Sequence, residues 1–279
     1  DWNFDTAVFG RIRDKDRDTN DWFLGREKTY KFLRERSYVF GCYQWAAVEH
    51  RGEAAWPRVC SCSGALDLFL QKKGAFYQNK SHWSAEPMAH IVPHWNFKGL
   101  EGREIPVTVY TNCEELELFL NGKTLGKQQI EKYGHGEWSI EYIPGTLEVK
   151  GYIGGKEVCC DKRVTTGRPA ALKLTQDNDF TANGSDIALF TCECVDENGL
   201  TVPDAAEYVH FSVTAPAKII GTGSDNCDHN NVANTDRKMY MGKIRVAVKP
   251  KKGQESFTLT TMSDNCGVCE KTVSLCAEN

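Results

Sequence analysis

The 279-residue sequence holds no apolar run approaching the roughly 18–20 residues of a spanning helix, so it offers no candidate membrane segment. It has no basic run either, and its net charge is −4; there is no electrostatic case for nucleic acid or an anionic surface. It opens Asp1-Trp2-Asn3-Phe4 with no initiator Met, no charged leader and no apolar leader core, so no signal peptide is visible. No strict repeat or low-complexity tract is present. Methionine is scarce, at four residues, against twenty-four Gly, seven Trp and ten Tyr, a balance that leans toward a β-rich, carbohydrate-handling chain. Twelve Cys, about 4% of the chain, fall short of the ~8–10% of a disulfide scaffold.

What is there changes character twice. Residues 1–86 mix signals. GREKTYKFLRER, Gly25 to Arg36, is rich in helix formers, and YVFGCYQW, Tyr38 to Trp45, reads as one buried strand. A second helix is expected from Lys72 to Trp83. Helix, strand, loop and helix make a fragment of α/β architecture that cannot close a parallel sheet alone.

From residue 87 to 168 the apolar period is two. Ile105, Val107 and Val109, then Leu116, Leu118 and Leu120, then Trp138, Ile140 and Tyr142 alternate with polar or outward positions. Asn121-Gly122 and Gly154-Gly155 supply hairpin turns. After a linker at Thr166-Gly167-Arg168-Pro169 the pattern restarts over residues 169–279, with Ile187–Cys194, Val209–Val213, Ile244–Val248 and Phe257–Thr261 as its strands. Two successive β-sandwiches are expected.

The cysteines read mostly as small buried hydrophobes, Cys192 and Cys194 sharing one face of a core strand. Cys60-Ser61-Cys62 and Cys266 to Cys269 have ligand-like spacing without the second pair a zinc site needs, so no metal site is assigned. Thiols scattered over all segments point to a reducing compartment, and a cytoplasmic location is expected. GTGSDN, Gly221 to Asn226, has no phosphate-loop Lys after it and reads as a tight turn. Asp225, Asp228 and His229 lack calcium-loop spacing and read as a solvated loop. No cofactor is implied.

The densest constellation is WAAVEHRGEAAWPR, Trp45 to Arg58, which gathers two Trp, two Glu, one His and two Arg directly after the expected strand. Aromatic faces stack on sugar rings, while carboxylates and guanidinium groups hydrogen-bond the hydroxyls. The bland alternative is a surface loop whose Trp residues cap the strand end and whose charges pair with each other. Glu49 and Glu53 are not assigned as an acid/base pair, because i, i+4 carboxylates outside a helix have no fixed separation.

FGCYQWAAVEHRGEAAWPRVCSCSGALDLFLQKKGAFYQNKSHW, Phe40 to Trp83, resembles the last strand, loop and helix of the glycoside hydrolase family 2 barrel. Members that cleave galactosides carry G-x-F-x-W-T-G-x-D-Y-x-G-E, then W-P, G-I-x-D and a P-K-D-x-x-Y helix. PHWNFKGLEGREIPVTVYTNCEELELFLNGKTLG and EWSIEYIPGTLEVKGY resemble the sandwich after that barrel, and ANGSDIALFTCECVDENGLTVPDA the next, Ig-like one. By this resemblance the fold is mainly β: the C-terminal end of a (β/α)8 barrel followed by two Ig-like β-sandwich domains.

The resemblance implies that Trp45 lines the subsite for the hydrolysed sugar. It matches Glu53 to the Glu of the family's G-E pair and Lys73 to the Lys of P-K-D. Ala46-Ala47 and Glu49-His50 replace the family's Thr-Gly and Asp-Tyr, Lys72 its Pro, and Gly74 its Asp. Expected substrate-binding residues are therefore Trp45, Glu49, His50 and Glu53. Neither catalytic Glu motif matches within the chain, so both catalytic carboxylates are expected to precede Asp1. Family members that cleave glucuronides place Asn-x-Lys where Ser61-Cys62-Ser63 stand here, so a neutral sugar is implied: a β-galactoside or related oligosaccharide, cleaved with retention from a non-reducing end. The competing reading is a non-catalytic carbohydrate-binding or adhesin-like tandem sandwich. The sandwiches are expected to pack against the barrel and to build a homo-oligomer.

Overall fold

The computed structural model describes residues 22–275. Contacts divide the chain into two units: residues up to Glu53 together with Cys60–Thr165, and Ala54–Val59 together with the chain from Thr166 onward.

In the first unit, the helix-forming run folds as α1 (Trp22–Arg34) and the second expected helix as α2 (Gly74–Trp83). Then come β1 (Ala89–Val92), β2 (Glu104–Thr111), β3 (Glu115–Leu120), β4 (Lys123–Gln129), β5 (His135–Glu141), β6 (Thr146–Ile153) and β7 (Lys156–Val164). They form two antiparallel sheets, ordered β1-β2-β5 and β4-β3-β6-β7.

The period-two pattern dictates which residues meet between the sheets. Ile105, Val107 and Val109 from one sheet and Leu116, Leu118, Leu147 and Val149 from the other are wholly buried there. Trp95 and Phe97, in the loop before β2, close the core by edge-to-face contacts with Tyr142 at 5.3 and 5.6 Å, and the Trp95 indole donates to the Ile143 carbonyl. Asn121 and Gly122 both take positive φ, 52° and 79°, the backbone a two-residue hairpin needs between β3 and β4. Where the sheet edges meet, Asp161 on β7 accepts from the Ile91 N–H of β1, and Arg163 donates to the Ile91 carbonyl.

The second unit is built from β8 (Ala171–Gln176), β9 (Ala188–Val195), β10 (Tyr208–Val213), β11 (Lys218–Gly223), β12 (Asp236–Lys238), β13 (Lys243–Lys249), β14 (Ser256–Ser263) and β15 (Gly267–Ser274). Its sheets run β11-β13-β9-β8 and β12-β10-β14-β15, again antiparallel. Phe190, Cys192 and Cys194 of β9, Ile244, Val246 and Val248 of β13, and Phe211, Phe257 and Leu259 of the opposite sheet fill the core. Cys192 and Cys194 sit where small hydrophobes were expected.

One expected element is absent. Tyr38–Trp45 pairs with no strand among the described residues, and Tyr38, Phe40 and Tyr43 stand in solvent. Residues 22–88 supply two helices, loops and isolated bridges, but no sheet strand. An aromatic, β-branched run has the composition of a buried strand, yet a strand exists only through ladder bonds to neighbours, and none lie beside it here.

α1 is held against β5 by charge. His135 meets the Glu27 carboxylate at 2.6 Å through Nδ1 and Glu137 at 3.4 Å through Nε2, while Lys31 closes on Glu27 at 2.8 Å. Burial disfavours the imidazolium, but the bonds to Glu137 and Glu27 outweigh it and push His135 up to about 9. Burial opposes ionisation of Glu27 too, and His135 and Lys31 more than offset that, holding it below the usual carboxylate range.

Two outcomes follow from this packing and this charge cluster. Leu118→Ala should lower the unfolding free energy in urea by about 2–5 kcal/mol, because the cavity cannot collapse between two sheets. Since the folded value of His135 lies above its ordinary 6.5, its contribution is full below that pH and is lost as pH rises through about 9. Stability should therefore fall by about 1–3 kcal/mol over that window, and His135→Gln should flatten the slope.

Candidate functional site

The loop from Trp45 to Lys73 has no regular secondary structure, so its shape rests on individual bonds. Two of its stretches zip together within the first unit. The Ala46 N–H donates to the Ser63 carbonyl, Ala65 to Ala46, Leu66 to Ala47 and Glu49 to Leu66, with Val48 and Leu66 bridged in parallel. Gly64 lies at the closest approach: a Cβ there would run into the Glu49 backbone nitrogen and side chain and into the Leu66 carbonyl.

Under this zip sits a buried ion pair. The Glu49 side chain is fully covered, and its carboxylate takes the Lys73 ammonium at 2.5 Å on one oxygen and the Cys60 thiol at 3.3 Å on the other. Lys73 also donates from Nζ to the Cys62 carbonyl and from its backbone N–H to Ala65, immediately before α2 begins. One lysine thus fixes the loop at both of its stretches and anchors the helix start. A charge pair in so dry a place is stabilising only while both partners are present.

Above the pair lie the solvent-facing groups. Trp45 is 70% exposed and meets the His50 ring edgewise, with centroids 5.5 Å apart. The Ser61 hydroxyl lies 3.1 Å from His50 Nδ1 and accepts from the His50 backbone N–H; His50 Nε2 is 3.4 Å from the exposed Glu53 carboxylate. Gly52 and Glu53 both take positive φ, 91° and 48°, and this turn brings Glu53 back to His50.

Of the four residues expected to bind substrate, the structure joins Trp45, His50 and Glu53 in one chain of contacts at the surface. It places the carboxylate of the fourth, Glu49, in the interior on Lys73. Part of the bland alternative holds as well, because the loop's charges do pair with each other. Sequence reasoning passed over Cys60, whose spacing to Cys62 suggested metal chemistry rather than a bond to a carboxylate.

The same loop passes through the second unit at Ala54–Val59, where Trp56 lies 4.9 Å from the His229 ring and the Pro57 carbonyl accepts from His229 Nε2. Asp228 is bound to the buried Arg237 at 2.5 Å, and Ser224 donates to the Lys238 carbonyl. The Gly221–Asn226 stretch accordingly belongs to strand β11 and the turn after it. Among the described residues no cluster of three His, Cys, Asp or Glu could hold a metal ion. A cleft of about 740 Å³ in the first unit is lined by Arg34, His82, Trp83, Asn112 and Tyr133 among others, and by none of the four expected residues. Burial pushes His82 there down to about 4, so it is neutral.

The two sandwiches that follow this loop match models of known domains. Residues 172–272, which span β8 to most of β15, match the model of the glycoside hydrolase family 2 C-terminal domain 5. Residues 102–159, from β2 into β7, match a domain of unknown function (DUF4982). A β-galactosidase of Bacteroides ovatus is 32% identical over 86% of this chain and 29% of its own length. A β-glucuronidase of Formosa agariphila is 31% identical over 89% of this chain and 27% of its own. Among solved structures, a glycosyl hydrolase family 2 member from Bacteroides cellulosilyticus superposes with a TM-score of 0.85 at 27% identity, covering 90% of this chain and 38% of that one. A β-glycosidase from Bacteroides vulgatus gives 0.84 at 26% identity, over 89% of this chain and 32% of its own.

The chain belongs to glycoside hydrolase family 2. It corresponds to the C-terminal portion of the family's members and spans less than a third of the length of these two curated relatives. Within family 2, Lys73 is the residue that matched the family's P-K-D lysine, and here it carries the buried pair.

Removing one partner of that pair has a definite cost. Lys73→Met should destabilise the chain by about 3–5 kcal/mol, because the Glu49 carboxylate loses its countercharge in the interior. The double change Glu49→Gln with Lys73→Met should recover more than half of the loss. Urea unfolding of the wild type, Lys73→Met, Glu49→Gln and the double variant measures the coupling directly.

Proposed function

We propose that this chain is the C-terminal part of a retaining exo-β-glycosidase, and that the surface formed by Trp45, His50 and Glu53 contacts the terminal sugar. The supporting observation is the exposure of Trp45 on a loop otherwise pinned from beneath. A large aromatic left 70% exposed and held by a neighbouring ring suits stacking on a pyranose, with the His50–Glu53 pair offering a donor and an acceptor for ring hydroxyls. In this reading Glu49 does not touch substrate; it sets the loop through Lys73.

The segment Tyr38–Trp45 is proposed to be the last strand of a (β/α)8 barrel whose other strands come from elsewhere in the enzyme. The exposure of Tyr38, Phe40 and Tyr43 supports this, since such side chains are ordinarily covered. In such barrels the active site gathers at the carboxyl ends of the strands, where Trp45 would sit. The sandwiches, proposed to be Ig-like, serve to support the barrel and to build an oligomer. The catalytic carboxylates lie outside this chain, and the chain alone does not turn over substrate.

A neutral sugar, β-galactose, is the favoured substrate. Where a uronate-binding member would place Asn-x-Lys, this chain has Ser61, Cys62 and Ser63, and Ser61 is engaged by His50. Lys73 is spent on Glu49 and the Cys62 carbonyl. A β-glucuronide is the second reading, because the exposed Arg51 lies in the same loop and several curated relatives are β-glucuronidases or putative ones.

The test is hydrolysis of aryl β-galactosides and β-glucuronides by the full-length enzyme and its Trp45→Ala variant. Cleavage of the galactoside is expected, with kcat/KM roughly 100-fold lower in the variant at an unchanged unfolding midpoint. Near-wild-type rates in the variant would take Trp45 out of the site, and preference for the glucuronide would overturn the sugar assignment.

A further inference from the structure

Each sandwich is two sheets joined mainly by side-chain packing, and in each one a pair of thiols spans the gap. In the first unit Cys113, in the link that leaves β2 for β3, has its sulfur 3.5 Å from that of Cys159 on β7, an edge strand of the sheet opposite β2. In the second, Cys194 on β9 lies 3.6 Å from Cys266, which directly precedes β15 of the opposite sheet. The partners are 46 and 72 residues apart in sequence. β7 and β15 are both edge strands, where a sheet opens most readily.

Several of the other described cysteines are placed differently. Cys42, Cys160 and Cys227 are exposed, Cys60 donates to Glu49, and Cys192 faces the Thr261 hydroxyl at 3.6 Å. Room for the first pair is made by a glycine. A Cβ on Gly151, which pairs with Cys159 across β6 and β7, would come within 2.7 Å of both sulfurs.

We infer that Cys113–Cys159 and Cys194–Cys266 are two oxidative modification sites, each forming a sheet-to-sheet disulfide by exchange with a low-molecular-weight disulfide such as oxidised glutathione. Forming either bond takes the sulfurs from 3.5 and 3.6 Å to about 2.05 Å. In each exchange one protein thiolate attacks a sulfur of the small disulfide, giving a mixed disulfide and releasing one thiol. The second protein thiolate then attacks the first protein sulfur and releases the other. The two protein sulfurs lose two electrons and two protons, and the small disulfide gains them as two thiols.

The two sulfurs of the first site share a hydrogen bond, which, against the opposing effect of burial, brings Cys113 down to about 6 and favours its thiolate. Cys194 and Cys266 are both buried, whereas Cys159 of the first site is partly open, so the second site reacts more slowly. The expectation of a reducing compartment rested on thiols that looked unpaired in sequence, and four of them are paired in space.

The test is peptide mapping of the intact protein after incubation with oxidised glutathione, unfolding and alkylation. Linked peptides Cys113–Cys159 and Cys194–Cys266 are expected, the first forming at least several-fold faster. The melting midpoint should rise by roughly 5–15 °C and return on adding reductant. Cys159→Ser and Cys266→Ser should each remove one link and leave the other, and Gly151→Ala should slow the first link alone. The wild-type map decides the matter even where a variant folds poorly. Four thiols still open to alkylation, links among other cysteines, glutathione adducts confined to Cys42, Cys160 and Cys227, or bridging that leaves the midpoint unchanged would each overturn the inference.

Discussion

Inside the first unit a carboxylate and an ammonium group meet at 2.5 Å with almost no water beside them. Neither ion would be stable there alone, so the sequence around them is arranged to keep them together. Gly64 lets the two loop stretches approach closely enough to cover Glu49, Cys60 satisfies its second oxygen, and Cys62 and Ala65 occupy the rest of Lys73. The surface groups Trp45, His50 and Glu53 inherit their positions from this node. A loop without secondary structure thereby acquires the rigidity that a recognition surface needs.

The same device appears, less buried, where α1 meets β5. Glu27, Lys31 and His135 form a cluster that draws a short helix onto a sheet face. The apolar content of the contact is modest, with Tyr30 covered and Phe32 largely in water. Charge does in this corner what interdigitated Leu, Val and Ile do between the sheets. The sandwiches themselves are conventional in their physics, with alternating strands, positive-φ turns and aromatic plugs such as Trp95 and Phe257.

Much of this architecture was legible because period-two patterning is local. Leu116, Leu118 and Leu120 had to face one way, and Asn121-Gly122 had to turn the chain, whatever the rest of the protein did. Cys192 and Cys194 could be assigned to a core from their places on one face of β9. Tyr38–Trp45 misled, because its composition reports what it is suited to pack against and not whether those partners are present. Trp95 and Phe97 were quoted only as part of a resemblance; they lie in a loop with no period to mark them as core. Glu49 was taken for a sugar contact because carboxylates in a Trp-rich loop commonly are, and nothing in its neighbours indicated that Lys73, twenty-four residues on, would claim it.

By itself the sequence determined the strand faces, the hairpin turns, the two helices and, through an ordered series of motifs, membership in glycoside hydrolase family 2. These depend on residues within a few positions of one another, where propensity and periodicity act directly. Only the tertiary structure decided that Glu49 turns inward to Lys73 while Trp45 remains in solvent. It alone brought Cys113 to Cys159 and Cys194 to Cys266. Those outcomes rest on contacts between residues distant in the chain, and the energy of a buried charge or a sulfur pair depends on what surrounds it in space.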